Sequence, residues 1–304
     1  MTADRPGLPW LSNRASTAVS TGFLALAVLA LAAAGGGSRE QVTHTLGGIL
    51  GEWVLIALVS VGMTLALRTG RMDLSGAAVA VLGAMVAARL AVRGLPLPLG
   101  FLVASAAGTT VGAFNGLVAS LSRMASYVVT LGVAAVCQSF VLFTFGPNGI
   151  SLPEAGDGSN EVAVPVSVLV TLVAALAVAL AFRLTSLRRR PEVPPVALAG
   201  IFACAGGLAA AAGVLRASTL GYAAPQLNGD LLIAAFAAAL IGGASLRGGH
   251  GGGQGALIAS LGMSVLLAAL QLANLTAFVI SGTLGAILVL ALLWEEARWR
   301  GPGP

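Results

Sequence analysis

About ten apolar segments follow one another along this chain, with only short polar connectors between them. Each segment is roughly 18 to 25 residues long, close to the length of about 20 residues that a helix needs to cross a bilayer. Hydrophobic residues make up 57% of the 304 residues and charged residues 9%, whereas soluble domains have about 25% charged residues. The segments are continuously apolar and lack the alternation of a transmembrane β-strand. The sequence therefore predicts an all-α fold, a polytopic transmembrane helical bundle.

The connectors between these segments are too short to fold as a separate soluble domain. We expect one membrane-spanning unit over residues 17–294, with tails at residues 1–16 and 295–304. The predicted spans cover residues 17–35, 45–67, 74–92, 97–121, 127–145, 162–182, 195–215, 230–246, 254–274 and 276–294.

All 16 basic residues are Arg, and their positions predict the orientation of the chain. If the N-terminus is cytoplasmic, most of them lie on the inner side, and those on the outer side are Arg39, Arg89, Arg93 and Arg216. Membrane proteins carry an excess of Arg and Lys in their cytoplasmic connectors. This bias and an even number of spans place both termini in the cytoplasm, in a multi-pass protein of the cell membrane.

The sequence has few residues that could carry covalent chemistry. It has no Lys, which excludes a P-loop and a Schiff-base lysine. His44 and His250 lie in connectors far apart along the chain, and neither has a second metal ligand nearby in sequence. We therefore expect no catalytic residues, no metal site and no cofactor, in a protein that is not itself an enzyme.

Three stretches near predicted span ends combine glycine with polar residues in patterns that composition does not explain. The first is "GMTLALRTGRMDLSGA", which contains Asp73 and Ser75. The second is "FNGLVASLSRMASYVVTLG", which contains Asn115, Thr130 and Gly132. The third is the glycine-rich connector "LIGGASLRGGHGGGQG". Because non-helical backbone at membrane depth needs protein or water to satisfy it, the third stretch is either a tight cytoplasmic hairpin or a broken helix that lines a pathway.

In this order, the three stretches resemble the permease subunits of ribose-type ABC importers, a family that includes ribose, xylose, galactofuranose and autoinducer-2 transporters. The resemblance covers about residue 45 to the C-terminus and implies a bacterial permease domain that translocates a small sugar or related polar solute. Residues that match the family signature, expected at the pathway or at an interface between subunits, are Asp73, Ser75, Asn115, Thr130, Gly132, Gly242, Gly243, Ser245, Gly248 and Gly249.

The resemblance also implies partners for this chain besides the lipid bilayer. A cytoplasmic ABC ATPase would hydrolyse ATP, an extracytoplasmic solute-binding protein would deliver the solute, and a second permease copy or a paralogue would complete a dimer. Nucleic acid is not among the expected partners.

Two departures from the family pattern are visible. Arg71 stands where the family has a second glycine. The connector at residues 183–195 is shorter than the family's cytoplasmic segment that resembles an ATPase-coupling element, and its prolines leave little room for a helix. Either this connector still couples, or another inner connector does, or the chain is the weaker half of a heterodimer. The candidate ATPase contacts in this connector are Leu184, Thr185, Arg188 and Arg189.

An ion-coupled secondary transporter is the alternative function, because such proteins also have about ten spans. Ion coupling needs an ionisable residue held within the membrane, and the candidates Glu52, Asp73 and Asp230 all lie near predicted span ends, which disfavours it. Polar residues expected either at the pathway or in hydrogen bonds between helices are Asn115, Gln138, Gln271 and Asn274.

Overall fold

The computed structural model describes residues 9–34, 39–121, 123–153, 193–226, 229–249, 251 and 253–299. Over these residues the chain is helical apart from its connectors and one short antiparallel sheet. The helices are α1 (Pro9–Ala34), α2 (Arg39–Arg68), α3 (Gly76–Val92), α4 (Leu97–Ala119), α5 (Arg123–Phe145), α6 (Pro195–Leu220), α7 (Gly229–Ile241), α8 (Gly253–Leu272) and α9 (Ala277–Trp299). The strands are β1 (Ile150–Ser151) and β2 (Tyr222–Ala223).

Each predicted span that the structure describes contains a helix, which confirms the all-helical fold. The span predicted at residues 162–182 lies outside the described residues. Shorter apolar helical segments are Ser16–Ala32, Gly76–Val92 and Gly229–Ile241. In the described part of the chain, the 6 helical segments long and apolar enough to cross a membrane are Thr45–Arg68, Leu97–Ala119, Ser126–Phe145, Pro195–Leu220, Gly253–Leu272 and Ala277–Ala297.

Helix α6 packs against α2, α3 and α4 in the interior of the bundle. Its sequence is rich in Ala and Gly, and small residues let helix backbones approach closely in a membrane. Along the contact with α4, Gly112 faces the backbone of Phe202 and Gly116 faces that of Leu198. A Cβ on Gly116 would lie 2.5 Å from the Leu198 carbonyl oxygen. The glycines of α4 therefore set the distance between these two helices.

The predicted span at residues 230–246 is longer than the helix that the structure shows there. Helix α7 ends at Ile241, and its 13 residues extend only about 20 Å, short of the hydrocarbon core of about 30 Å. Gly243 then adopts a φ of 92°, which favours glycine, and residues 242–249 are not helical. Gly242 and Gly243 are both buried. The third motif therefore begins at the buried end of a short helix and reaches the surface at Arg247 and Gly249.

Two helices continue beyond their predicted ends. Helix α6 runs to Leu220, so that Arg216, predicted in an outer connector, lies within the helix. Helix α9 runs to Trp299, so that Glu295, predicted in the C-terminal tail, is helical and buried. Both extensions carry an ionisable residue into the bundle, and both of these residues have fixed partners there.

Candidate functional site

The connector between α2 and α3 folds around Asp73, whose side chain is buried. Its Oδ1 accepts hydrogen bonds from the Ser75 backbone N–H at 2.9 Å and from the Ser75 Oγ–H at 2.6 Å. From α4, the Asn115 Nδ2–H donates to Ser75 Oγ at 2.8 Å. Ser75 and Asn115 are buried too. A continuous chain of hydrogen bonds therefore joins the first two motif stretches.

Polar side chains of α5 complete this network. The backbone N–H of Leu74 donates to Thr130 Oγ1 at 3.0 Å, and the backbone N–H of Met72 donates to Ser126 Oγ at 3.4 Å. Thr130 Oγ1–H itself donates to the Ser126 carbonyl oxygen at 2.8 Å. Because the connector forms no helix or strand, its backbone N–H groups need such partners once they are buried.

The Asp73 carboxyl lies in the connector, outside the membrane-spanning helices. Burial raises the pKa of the Asp73 carboxyl above its ordinary value, and the hydrogen bonds from Ser75 oppose that rise. A carboxyl that is fully buried and held by fixed donors stabilises one arrangement of the connector. This environment suits a structural role better than the release and uptake of a transported proton.

Arg71, the residue that departs from the family pattern, has a defined partner. Its Nε–H donates to the Ala119 carbonyl oxygen at 2.8 Å. Ala119 is the last residue of α4, where carbonyl groups lack partners within the helix and where positive charge is favoured. The departure therefore adds a second tie between the α2–α3 connector and α4.

The glycine connector after α7 reaches the same region. The Gly249 N–H donates to the Arg68 carbonyl oxygen, at the end of α2, with a length of 2.8 Å. Gly248 has a φ of 85°, and a Cβ there would lie 2.8 Å from the Gly70 nitrogen. The first and third motif stretches are therefore in contact backbone to backbone, and Gly248 has no room for a side chain.

Hydrogen bonds also join the end of α9 to the same glycine connector. The Ser245 Oγ–H donates to Glu295 Oε1 at 2.7 Å, and the Leu246 N–H donates to the same oxygen at 3.0 Å. Next to this buried contact, Arg247 and Glu296 form an exposed ion pair of 2.8 Å. Glu295 thus accepts hydrogen bonds from a serine hydroxyl and a backbone N–H of the third motif, just as Asp73 does in the first motif.

These contacts bring most of the predicted signature residues to one end of the bundle, which we call the motif end. Gly132 points away from it, with no atom within 4 Å of its Cβ position. The predicted ATPase contacts Leu184, Thr185, Arg188 and Arg189 lie outside the described residues. Members of the motif end, beyond the packing glycines Gly242 and Gly243, are Asp73, Ser75, Asn115, Thr130, Ser245, Gly248 and Gly249.

A second polar region lies toward the other end of α6, and we call it the cavity end. Arg216 Nη2 and Glu52 Oε2 form an ion pair of 2.9 Å, with about a quarter of each side chain exposed. Beside the pair is a cavity of about 310 Å³, which Asp230 and Gln271 also line. Arg216 is 18 residues along α6 from Leu198, the residue packed at the motif end, and this corresponds to about 27 Å.

The remaining polar candidates have local partners. Gln138 Nε2–H donates to the Pro225 carbonyl oxygen at 2.7 Å. Asn274 has a φ of 54° in the turn that follows α8, a conformation in which Asn commonly ends helices. Among Asn115, Gln138, Gln271 and Asn274, Gln271 alone lines the cavity described above.

Sequence reasoning missed two residues of these regions, Glu295 and Arg216. Both lie within a few residues of a predicted span end and were placed outside the bundle. A signal was present for each, because an ionisable residue next to a long apolar helix is costly unless it has a partner. The pairing of Arg216 with Glu52 across 164 positions follows from the antiparallel course of α2 and α6, and sequence spacing does not give it.

A bundle of apolar helices whose three motif stretches meet at one end is the architecture expected for a membrane permease. Residues 45–191 match the family described as branched-chain amino acid transport system / permease component. Over most of its length the chain is also similar to ABC importer permease subunits, which confirms the resemblance seen in the motifs.

Three similar proteins show how far the likeness extends. The chain is 26% identical to the autoinducer 2 import system permease protein of Salmonella typhi, over 93% of this chain and 86% of that protein. It is also 26% identical to the L-arabinose ABC transporter permease protein of Azospirillum brasilense, over 83% of this chain and 79% of that protein. The chain is likewise 26% identical to the ribose import permease protein of Bacillus subtilis, over 82% of this chain and 84% of that protein. No solved structure matches the chain.

Proposed function

We propose that this chain is the membrane-spanning permease subunit of a binding-protein-dependent ABC importer. It translocates a small sugar or related polar solute with ATP that partner subunits hydrolyse. The observation that carries the proposal is the meeting of the three family motifs, distant in sequence, in one hydrogen-bonded region at the motif end. The similar proteins, by their names, import autoinducer 2, L-arabinose and ribose, which supports a sugar or sugar-like solute.

In this proposal the motif end faces the cytoplasm, and residues 17–294 form the permease domain between cytoplasmic tails at 1–16 and 295–304. Contacts at both ends of the chain support this arrangement. A Cβ on Gly243 would lie 2.5 Å from Cβ of Ser16 near the start of α1, and Glu295 near the end of α9 binds the same connector. These two contacts, together with the positive-inside bias, support a cytoplasmic side for both tails in this proposal.

The ATPase acts at the motif end in this proposal. The connector that contains Leu184, Thr185, Arg188 and Arg189 leads into Val193, which packs with Leu198 and Ala119 beside the Asp73 network. A force applied to this connector is therefore delivered to the place where α4 and α6 meet. ATP binding and hydrolysis on the partners shift the equilibrium between inward-open and outward-open arrangements because the partners bind the two arrangements with different affinity.

The test is reconstitution with an ABC ATPase and a solute-binding protein from the source organism. We expect the permease to co-purify with the ATPase and to support uptake of D-ribose or another pentose into proteoliposomes only with ATP. A Walker-A lysine variant of the ATPase is the control and should abolish uptake. Failure to co-purify, or uptake driven by a proton or sodium gradient without ATP, would overturn the proposal in favour of secondary transport.

A further inference from the structure

The cavity end contains charged residues that helix packing does not require. Helices α2 and α6 are already held together where Gly62 packs on the Ala205 backbone and where apolar side chains of both helices share the core. The ion pair between Glu52 and Arg216 adds two charges to segments that cross the membrane. Ionisable residues in such segments are costly and usually functional, and this pair borders a cavity of about 310 Å³.

We propose that this cavity is a solute-binding site of the permease itself, selective for a small neutral polyhydroxylated molecule. The proposal rests on the proposed function and adds the place where the chain contacts its solute. A volume of about 310 Å³ lies at the small end of the range for ligand pockets, which matches a single sugar ring. Five helices, α2, α6, α7, α8 and α9, contribute residues to its wall.

The lining determines the chemical class of the ligand. Arg216 and the Gln271 amide supply hydrogen-bond donors, and Glu52 and Asp230 supply carboxylate acceptors. Each sugar hydroxyl can both donate and accept a hydrogen bond, so it suits a wall that mixes the two. Two carboxylates against one guanidinium give the wall a net negative charge, so the site disfavours an anionic solute.

The apolar part of the wall supports the same ligand class. Leu267 and Ile280 line the cavity beside the polar groups and can cover the C–H face of a sugar ring. None of the residues that line the cavity is aromatic, so stacking adds nothing to affinity. The site is therefore expected to hold the solute weakly, as suits an intermediate position in a pathway.

A cysteine-protection experiment tests occupancy without the ATPase. In a full-length chain carrying Cys137→Ala and Cys204→Ala, Ala277→Cys places a thiol in the cavity wall, and its rate of reaction with a small charged methanethiosulfonate is measured. We expect D-ribose or L-arabinose at millimolar concentration to slow the reaction, and D-ribonate, the acid of similar size, not to do so. Ala297→Cys, an exposed position on the same helix far from the cavity, is the control and should show no protection by any solute.

A charge exchange tests whether the ion pair serves the solute or only the fold. Gln271→Leu should lower the rate of ATP-driven uptake at subsaturating solute about five- to tenfold, since one hydrogen bond to the solute is lost. Thr110→Val, which removes a polar group at an exposed position of α4 outside the cavity, should leave that rate unchanged. The double variant Glu52→Arg with Arg216→Glu keeps an ion pair but exchanges donor and acceptor, and its uptake should be as low as that of Glu52→Arg or Arg216→Glu alone.

The outcomes separate this inference from the function on which it rests. Wild-type uptake together with normal uptake by Gln271→Leu and by the double exchange would overturn the cavity site and leave the importer intact. Absence of ATP-driven uptake by the wild type would overturn the importer, while protection of Ala277→Cys by neutral sugars would still support the site. Equal protection by D-ribose and D-ribonate, or none by any sugar, would show that the cavity does not bind a neutral polyol.

Discussion

The motif end and the cavity end of this bundle hold carboxylates in opposite ways. At the motif end, Asp73 and Glu295 are buried, and one oxygen of each accepts hydrogen bonds from a serine hydroxyl and a backbone N–H. At the cavity end, Glu52 pairs with Arg216 while both remain about a quarter exposed. The carboxylates at the motif end are buried and hydrogen-bonded to groups of this chain. The ion pair at the cavity end is partly exposed and lies beside a cavity.

This difference separates two tasks that a permease must perform. A buried carboxylate whose donors come from the same chain fixes one arrangement of a connector, because losing any donor leaves a polar group unsatisfied. A partly exposed ion pair beside a cavity can exchange its partners with a ligand at lower cost. The signature residues therefore fasten helices together, whereas the residues that we propose to contact the solute lie outside the signature.

The largest expected effect comes from the close side-by-side contact between α4 and α6. Gly112→Ala would place a methyl group against the Phe202 backbone, and overpacking costs about 1–3 kcal/mol or more. Ala favours a helix over Gly by about 1 kcal/mol, so Gly132→Ala, where no atom lies within 4 Å, should be neutral or stabilising. The measurement is the thermal unfolding midpoint of both proteins in detergent, and equal midpoints would contradict the close packing.

A comparable loss is expected when Asp73 loses its acceptor oxygen. Asp73→Ala leaves the Ser75 N–H and hydroxyl without a buried partner, at a cost of about 1–3 kcal/mol. Asp73→Asn keeps one acceptor oxygen and should cost less. Unfolding midpoints at neutral pH should therefore rank wild type, Asn variant, Ala variant from highest to lowest. An Asn variant with normal stability whose uptake loses a dependence on protons would show that Asp73 is a proton site instead.

Burial also makes the stability contribution of Asp73 depend on pH. Since burial raises the folded-state pKa of Asp73, the folded protein holds this proton at pH values where the unfolded chain has released it. Stability should therefore fall as the pH rises from the unfolded value of about 3.9 to the raised folded value, and then stay level. Unfolding midpoints from acid to neutral pH should show this decrease in the wild type and a smaller one in Asp73→Asn; identical profiles would contradict it.

A smaller effect is expected from separating α9 from the glycine connector. Glu295→Ala removes a buried acceptor from Ser245 and Leu246 and should lower the unfolding midpoint. The neighbouring Glu296 is exposed and pairs with Arg247 at the surface, where such pairs contribute little. Glu296→Ala is therefore the matched control, and it should leave the midpoint nearly unchanged. Equal losses in the two variants would show that the Glu295 contact does not fasten α9.

The sequence predicted the helices well because long apolar runs and glycine-rich connectors are local signals. It was wrong where a helix end depends on its surroundings. Helix α7 stops at Ile241 although the apolar run continues, because Gly242 and Gly243 pack against other chain segments. Helix α6 continues through Arg216 because Glu52 of α2 provides a partner for its charge.

The motifs predicted which residues matter at the motif end, but not how they contact one another. Asp73, Asn115 and Thr130 were singled out separately, and only the fold places them in one network. The cavity end was harder to predict, because its residues come from five helices and none belongs to a motif. Gln271 was considered as a polar residue in a span, but its neighbours in the cavity follow from helix packing alone.

The smallest effect on stability is expected at the cavity end. A double-mutant cycle with Glu52→Gln and Arg216→Gln isolates the coupling between the two charges. Because both side chains are about a quarter exposed, we expect a coupling energy of at most about 1 kcal/mol, below the cost of removing Asp73. Unfolding midpoints of the four proteins give this energy.

A coupling above about 3 kcal/mol, in the range measured for fully buried pairs, would mean that the pair holds α2 and α6 together and that the two ends do not differ in the way described. A small coupling combined with low uptake would instead assign these charges to the solute, since they would then contribute to transport without contributing to the fold.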